Sequence, residues 1–345
     1  MKNLGPRSKV DSGGQIPKTL TGCPKVSSEM PKADIAPSIV VPIAVTEAAV
    51  RSAGIYFERI SGVDRTVLGN DHVNPMRYFK IIEALDREIP LAGKKLLEIG
   101  SGFGVSLAVM LKQFEVDAYG IEPASEGFDA SYVCAREVLI ANGLDASRLI
   151  AAVGESIPFA DGTFDVVYSN NVLEHTSDPA KVLSEAIRVL KPGGKLYVEV
   201  PNYLAYFEGH YLVPQPPILW NGLLAFWVRV IFRRDPAFAR TLRTEINPIW
   251  LRKVMRVIAS ECAIEVQSFG EERFLNRIGK PFVFQTTTVA GNAGRAVKVL
   301  QSLNWRNWIG HVLVWLHAYY PIVLIATRLE EPSRTLPHVT KARMR

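Results

Sequence analysis

Glycine falls at positions 100, 102 and 104 of the stretch Lys94–Gly104 (KKLLEIGSGFG), just after an apolar run that carries Glu98 and ends in Ile99. Glycine accepts positive φ and lets another group come close to the backbone, so such a loop, with Ser101 in it, can cradle a ligand. A second acid, Glu122, follows Gly100 by 22 positions, near the spacing of about 20 at which a carboxylate meets a ribose. A carboxylate can accept hydrogen bonds from both vicinal ribose hydroxyls. The third candidate is His210, in Phe207–Tyr211 (FEGHY), with Glu208 as its partner. An imidazole titrates near neutral pH and can take the proton of an alcohol, so His210 is the candidate catalytic base. Together these residue types offer a nucleoside-bearing ligand held beside a general base. A plain strand-to-helix turn, a helix-start acid and a hydrogen-bonded loop histidine are the corresponding structural readings.

The flanking sequence supplies elements to position them. The apolar run into Gly100 reads as a buried strand, and Val105–Lys112 has helical spacing, so the glycines open a helix N-terminus. Met76–Leu85 reads as an amphipathic helix ahead of the loop, with Arg77 on its solvated face. Asp117–Pro123 is a second strand ending in Glu122, Glu126–Asn142 a helix stopped by Gly143, and Arg148–Val153 a third strand. Phe164–Ser169 (FDVVYS) is apolar throughout, as a central parallel strand should be. Asp178-Pro179 caps a helix, Lys191–Gly194 turns the chain, and Lys195–Val200 is a fifth strand. Strands alternating with helices over about 110 residues predict an α/β fold with a doubly wound sheet and a ligand site at the strand carboxyl ends.

The glycine spacing is not that of a dinucleotide fingerprint, which needs G-x-G-x-x-G/A; here the third glycine comes one residue early and position 105 is valine. The run Glu98-x-Gly100-x-Gly102-x-Gly104 resembles instead the first motif of the class I S-adenosylmethionine-dependent methyltransferases. Gly154–Asp165 (GESIPFADGTFD) is similar to the "AE-x-LPF-x-D-x-x-FD" stretch of their small-molecule (type 11-like) members. Asn170–His175 (NNVLEH) and Leu190–Leu196 (LKPGGKL) continue the likeness. The resemblance covers roughly Lys94–Asn202. It implies a Rossmann-like seven-stranded sheet, mostly parallel with an antiparallel last strand, and S-adenosyl-L-methionine as cofactor.

On that resemblance the methionine end of the cofactor belongs to Glu98, Gly100, Ser101, Gly102 and Gly104, and the ribose to Glu122. The adenine falls to the backbone near Gly154 and Glu155, because Val153 stands at the family's usual aspartate. Asn170, Asn171, Glu174 and His175 would line the edge beside the sulfonium. Methyl transfer by in-line displacement needs no covalent enzyme intermediate and no metal, and Cys23, Cys134 and Cys262 show no zinc-site spacing.

The rest of the chain bounds the setting. With 345 residues, 48% hydrophobic and 21% charged, the chain is that of a folded protein. Its net charge of +6 is too small to argue for nucleic acid and suits an anionic surface. Scattered cysteines and the absence of an export signal fit a reducing, cytoplasmic setting. Residues 1–48, rich in Pro, Gly, Ser and Lys, read as a mobile tail, 49–330 as the methyltransferase domain, and 331–345 as a basic tail. Within the domain, 203–245 is an insertion. Its Ile218–Phe232 stretch, with the arginines that carry it to 234, reads either as an interfacial helix on a membrane or as a lid over the substrate pocket. Asn307–Thr327 lacks charged side chains; a helix followed by a last strand, Ile322–Arg328, is preferred there to a membrane span. The expected acceptor is small or amphipathic, a glycan, lipid-linked sugar or quinone-like hydroxyl. Two other classes stay open: a non-catalytic cofactor-binding partner protein, and a nicotinamide-dependent oxidoreductase.

Overall fold

The computed structural model describes residues 38–124, 129–218, 220–278 and 306–330. Five parallel strands form the first part of one sheet: β1 (Lys95–Ile99), β2 (Asp117–Glu122), β3 (Leu149–Ala151), β4 (Phe164–Asn170) and β5 (Leu190–Val200). A two-stranded hairpin, β6 (Phe207–Glu208) with β7 (Val213–Pro214), stands apart. Two more strands, β8 (Ile264–Ser268) and β9 (Ile322–Arg328), complete the sheet in the order β3-β2-β1-β4-β5-β9-β8, with β9 antiparallel to both neighbours. The predicted seven-stranded, doubly wound architecture with an antiparallel last strand is present. The sheet order reverses between β1 and β4, which puts the glycine loop at the crevice where such sheets bind ligands.

Local chemistry sets the helix starts. The helices α1 (Ile43–Tyr56), α2 (Glu58–Ser61), α3 (Arg65–His72) and α4 (Pro75–Glu88) precede β1; α5 (Val105–Gln113) and α6 (Asp129–Ala141) flank β2. Then come α7 (Pro179–Arg188), α8 (Asn221–Val230), α9 (Pro248–Glu261), α10 (Glu271–Ile278) and α11 (Arg306–Trp315). Three of them open on Asn-Pro or Asp-Pro. Asn74, Asp178 and Asn247 each accept hydrogen bonds from the first helical N–H groups, and proline at the first position has no N–H to satisfy. Arg188, at the end of α7, ties the 157–161 stretch to the helix. It donates to the carbonyls of Ile157 and Phe159 (both 2.9 Å) and pairs with Asp161 and Glu185. That network accounts structurally for the motif at Gly154–Asp165.

Two expectations change. Residues 38–48 are not part of a loose tail: Ile39, Val45 and Ala49 are buried, and Asn142 clasps the backbone of Val40 through both amide atoms (2.7 and 2.8 Å). The reason is apolar periodicity starting at Ile39, masked in the sequence by Pro42 and the preceding polar run. The stretch 191–194 lies within β5 as an irregularity rather than a turn between elements: Phe164 pairs with Leu190 and Val166 with Lys195. The basic tail at 331–345, Cys23 and the first 37 residues lie outside the described residues. Among the described residues no helix is long and apolar enough to cross a membrane; 307–327 resolves into nearly all of α11, a turn, and most of β9.

Candidate active site

The glycine loop is fixed by what would fill its empty positions. Gly100, Gly102 and Gly104 all have positive φ (78°, 51° and 75°). A Cβ on Gly100 would lie 2.4 Å from Val172 Cγ2, so the segment after β4 packs straight onto the loop. The N–H groups of Gly100 and Ser101 both donate to the carbonyl of Ile121 (2.9 and 3.1 Å), fastening the loop to β2. At the end of β2 the Glu122 carboxylate accepts from the Gly102 N–H through Oε2 (2.9 Å). Burial pushes Glu122 up to about 7, against the pull of that hydrogen bond. Burial also takes Glu98 to about 7, and the charge of Glu122 adds to the rise. Glu98 Oε2 and Ser101 Oγ are buried without a hydrogen-bond partner. Orphaned polar atoms beside an open backbone cradle fit the polar, cationic end of an amino-acid-bearing nucleoside.

On the far side of the crevice, Ala152, Val153 and Gly154 follow β3, and the Ala152 N–H donates to the Glu122 carbonyl (3.2 Å). Glu155 reaches the same cavity, but its Oε1 accepts from the Ser177 N–H and hydroxyl (both 2.8 Å) and the Asp178 N–H (3.2 Å). Its carboxylate holds the loop that starts α7, and the backbone near Gly154 is what faces the crevice. Asn170 and Asn171 sit at the end of β4, bonded to each other (2.9 Å), with Asn171 at φ 53°.

The hairpin β6–β7 delivers His210. Glu208, 1% exposed, accepts from the Tyr211 N–H through Oε2 (2.5 Å), and its Oε1 accepts from His210 Nδ1 (2.8 Å). That bond directs the Nδ1 proton to Glu208 and leaves Nε2 of His210 free. Burial opposes a charge on His210, yet the charge and hydrogen bond of Glu208, with Glu174 behind them, raise its pKa above the ordinary value. Tyr211 anchors the hairpin from below: its hydroxyl donates to the Asp235 carbonyl (2.6 Å) and accepts from the Ala239 N–H (3.0 Å).

The turn after β4 brings Glu174 and His175 to the same corner. Glu174 is fully buried and burial pushes it up to about 7. The ring of His175 meets that of His210 edge-on at 5.3 Å. Burial and then the neighbouring His210 hold His175 below its ordinary value, so it stays neutral. Phe57 stacks on His210 at 6.5 Å and Phe238 closes the group at 5.3 Å from it. A single cavity of about 790 Å³ runs from the glycine loop and Glu122 to this corner. It therefore joins the expected cofactor residues to His210. Residues the sequence reading passed over complete its wall: Phe57, Leu68 and His72 from α2, α3 and their connections, Leu212 from the hairpin, and Tyr320 from the turn before β9. Arg77, expected on a solvated face, pairs with Asp71 (2.9 Å) at the rim.

Comparison with known proteins bears on the crevice. Residues 97–198 match the family described as "Methyltransferase domain", a span from β1 to β5 that includes the loop, Glu122 and the Glu174–His175 turn. This part of the chain is similar to methyltransferase domains. An uncharacterized methyltransferase of Mycobacterium sp. (strain JLS) is 35% identical to the domain over 118 residues, 34% of this chain and 43% of that protein. A ubiquinone biosynthesis O-methyltransferase of Thiobacillus denitrificans is 31% identical over 133 residues, 38% of this chain and 52% of that protein. The chain thus spans about half the length of the curated relatives it matches. Phosphoethanolamine N-methyltransferase 2 of Haemonchus contortus, solved with S-adenosyl-L-methionine, aligns at a TM-score of 0.47 and 17% identity, over 79% of this chain and 59% of its own. His210 and its hairpin lie outside the matched domain.

Proposed function

We propose that the protein transfers a methyl group from S-adenosyl-L-methionine to a hydroxyl of an amphipathic acceptor. The observation that carries this is the continuity of one cavity from the Gly100–Gly102 loop and Glu122 to Nε2 of His210. When bound, the cofactor supplies an electrophilic methyl on a sulfonium. Glu122 and the Gly102 region would hold its ribose. Glu98 and Ser101, which have orphaned atoms, would take its amino-acid end. Ala152–Gly154 would flank the base. At the other end His210 Nε2 receives the acceptor's proton, with Nδ1 held by Glu208. A positioned base of this sort contributes about 10²–10⁴-fold.

The acceptor reading rests on the wall around His210. Phe57, Leu68, Leu212 and Tyr320 bring aromatic and aliphatic surface to the same cavity as His210. This favours a ring-bearing, quinone-like hydroxyl over a glycan or lipid-linked sugar, and the likeness to the Thiobacillus denitrificans O-methyltransferase points the same way. Delivery of such a molecule suits a peripheral membrane contact at 218–234. Helix α8 buries Leu224, Ala225 and Val228 and leaves Trp220, Phe226, Val230 and Ile231 exposed, with Arg229 and Arg233 beside them. No described residue of 218–234 lines the cavity, so the lid reading of this insertion is set aside and the exposed face of α8 carries the interfacial one.

Calorimetric titration with S-adenosyl-L-methionine and S-adenosylhomocysteine, followed by labelled-methyl transfer to quinone-type and glycan acceptors, tests the proposal. Micromolar cofactor binding and label in a hydroxyl acceptor are expected. Absence of binding by folded protein overturns it, and quenching of nicotinamide fluorescence would favour an oxidoreductase. Binding without transfer to any acceptor would favour a cofactor-binding partner protein.

A further inference from the structure

Three metal-binding side chains converge at the corner where the acceptor is read to react. The Glu174 carboxylate, one nitrogen of His175 and one nitrogen of His210 lie within 4.8 Å of one another, and His175 Nε2 is 3.9 Å from Glu174 Oε1. Glu174 has no exposed surface, and neither of its carboxylate oxygens has a hydrogen-bond partner. A carboxylate so placed calls for a missing ligand atom, since buried charge is costly unless something bonds to it. His210 already gives Nδ1 to Glu208. A carboxylate on one imidazole nitrogen, with the other nitrogen free, is the arrangement that orients metal-binding histidines.

We infer that Glu174, His175 and His210 form a site for a divalent transition-metal ion of the zinc type, with an open position toward the cavity. Two imidazole nitrogens and one carboxylate oxygen are a donor set that zinc takes when it keeps its fourth position open, whereas magnesium and calcium prefer oxygen alone. Zinc–ligand bonds of about 2.0–2.1 Å in a tetrahedron set ligand atoms about 3.4 Å apart. The observed separations therefore require side-chain shifts of about an ångström, which His175, partly exposed on a short turn, can make. The consequence for chemistry rests on the function proposed above. Metal and proton compete for the same lone pair on His210 Nε2. In the metal-loaded protein the ion, rather than the imidazole, would hold the acceptor's hydroxyl and lower its pKa, and the hydroxyl's proton would leave to solvent rather than to His210.

The test does not depend on activity. Metal-stripped full-length protein is dialysed against Zn²⁺ and, in parallel, Co²⁺, with bound metal counted by atomic emission and the cobalt site read by its visible absorption. One ion per chain and a cobalt spectrum of low-coordinate character are expected, both lost in His175→Ala and Glu174→Gln. Cooperative thermal unfolding of each variant shows that loss of metal is not loss of fold; if one variant fails to fold, the other decides. Wild-type protein that binds S-adenosyl-L-methionine but retains no metal overturns the site. Metal retained equally by both folded variants overturns it too. Metal binding without cofactor binding would leave the site standing and remove the methyltransferase reading instead.

Discussion

Replacing Glu122 with glutamine should stabilise the unliganded protein near pH 8 while weakening its hold on the cofactor. The carboxylate is 5% exposed, and burial raises it from 4.5 to about 7, with the Gly102 N–H recovering part of the loss. In the unfolded chain it ionises near its ordinary value. Between those limits the folded state keeps a proton that the unfolded state has released, so stability falls as pH rises through this window and the full penalty is present above it. The gap corresponds to about 3 kcal/mol for a buried group. Glutamine carries no charge at any pH and its carbonyl can still accept from Gly102. The variant and the wild type should therefore unfold together below about pH 4.5 and separate to about 3 kcal/mol near pH 8, a melting temperature roughly 5 °C or more above wild type. The same exchange removes charged hydrogen bonds worth about 1.5–3 kcal/mol each, so cofactor affinity should drop about a hundredfold. Thermal melts across pH without ligand, paired with calorimetry, read both effects. A variant no more stable than wild type at any pH would show that Glu122 carries no desolvated charge. Unchanged affinity would take it out of the cofactor site.

Three further outcomes can be checked alongside. Gly100→Ala forces a methyl against Val172 in addition to a positive φ, whereas a Cβ at Gly102 meets nothing within 4 Å. Gly100→Ala should thus abolish cofactor binding and lower the melting temperature, while Gly102→Ala should cost the fold only the backbone strain of about 1–2 kcal/mol and weaken cofactor binding, because its methyl enters the open cradle. Arg188→Met leaves the carbonyls of Ile157 and Phe159 without this donor and Glu185 with only the Ile157 N–H and the nearby Lys181; a loss of about 2–4 kcal/mol is expected by denaturant titration. His210→Ala should lower labelled-methyl transfer by about 10²–10⁴-fold while calorimetric cofactor affinity stays within a few-fold of wild type.

The cofactor half of the crevice was legible in the sequence because local pattern and fold coincide there. An apolar strand, three glycines and an acid at the next strand end are contiguous, and β1 to β5 follow one another with short connections. The acceptor half was not legible in the same way. His210 could be singled out by its type and by following β5, but its companions come from distant segments: Phe57 and His72 from the N-terminal helices, Phe238 from the insertion, Tyr320 from the turn before β9. Nor did spacing announce the convergence of Glu174 and His175 on His210. Metal-ligand patterns are read within short windows, and here 34 residues lie between His175 and His210. Glu155 illustrates the opposite limit. Its motif is clear, yet only the structure reveals that its Oε1 is engaged by Ser177 and Asp178.

The place of β9 has a consequence for how the protein is made. A ribosome releases β1 to β5, the glycine loop and Glu122 long before it releases 322–328, the strand that fits between β5 and β8. Until then the outer edge of β5, with Leu196, Val198 and Val200 destined for complete burial, has no partner, and β8 has no neighbour to pair with. An unpaired apolar edge is a template for joining another chain. A nascent or truncated chain ending before Ile322 would hold the cofactor crevice and an open sheet at once, so premature termination there should yield aggregates rather than a smaller working domain.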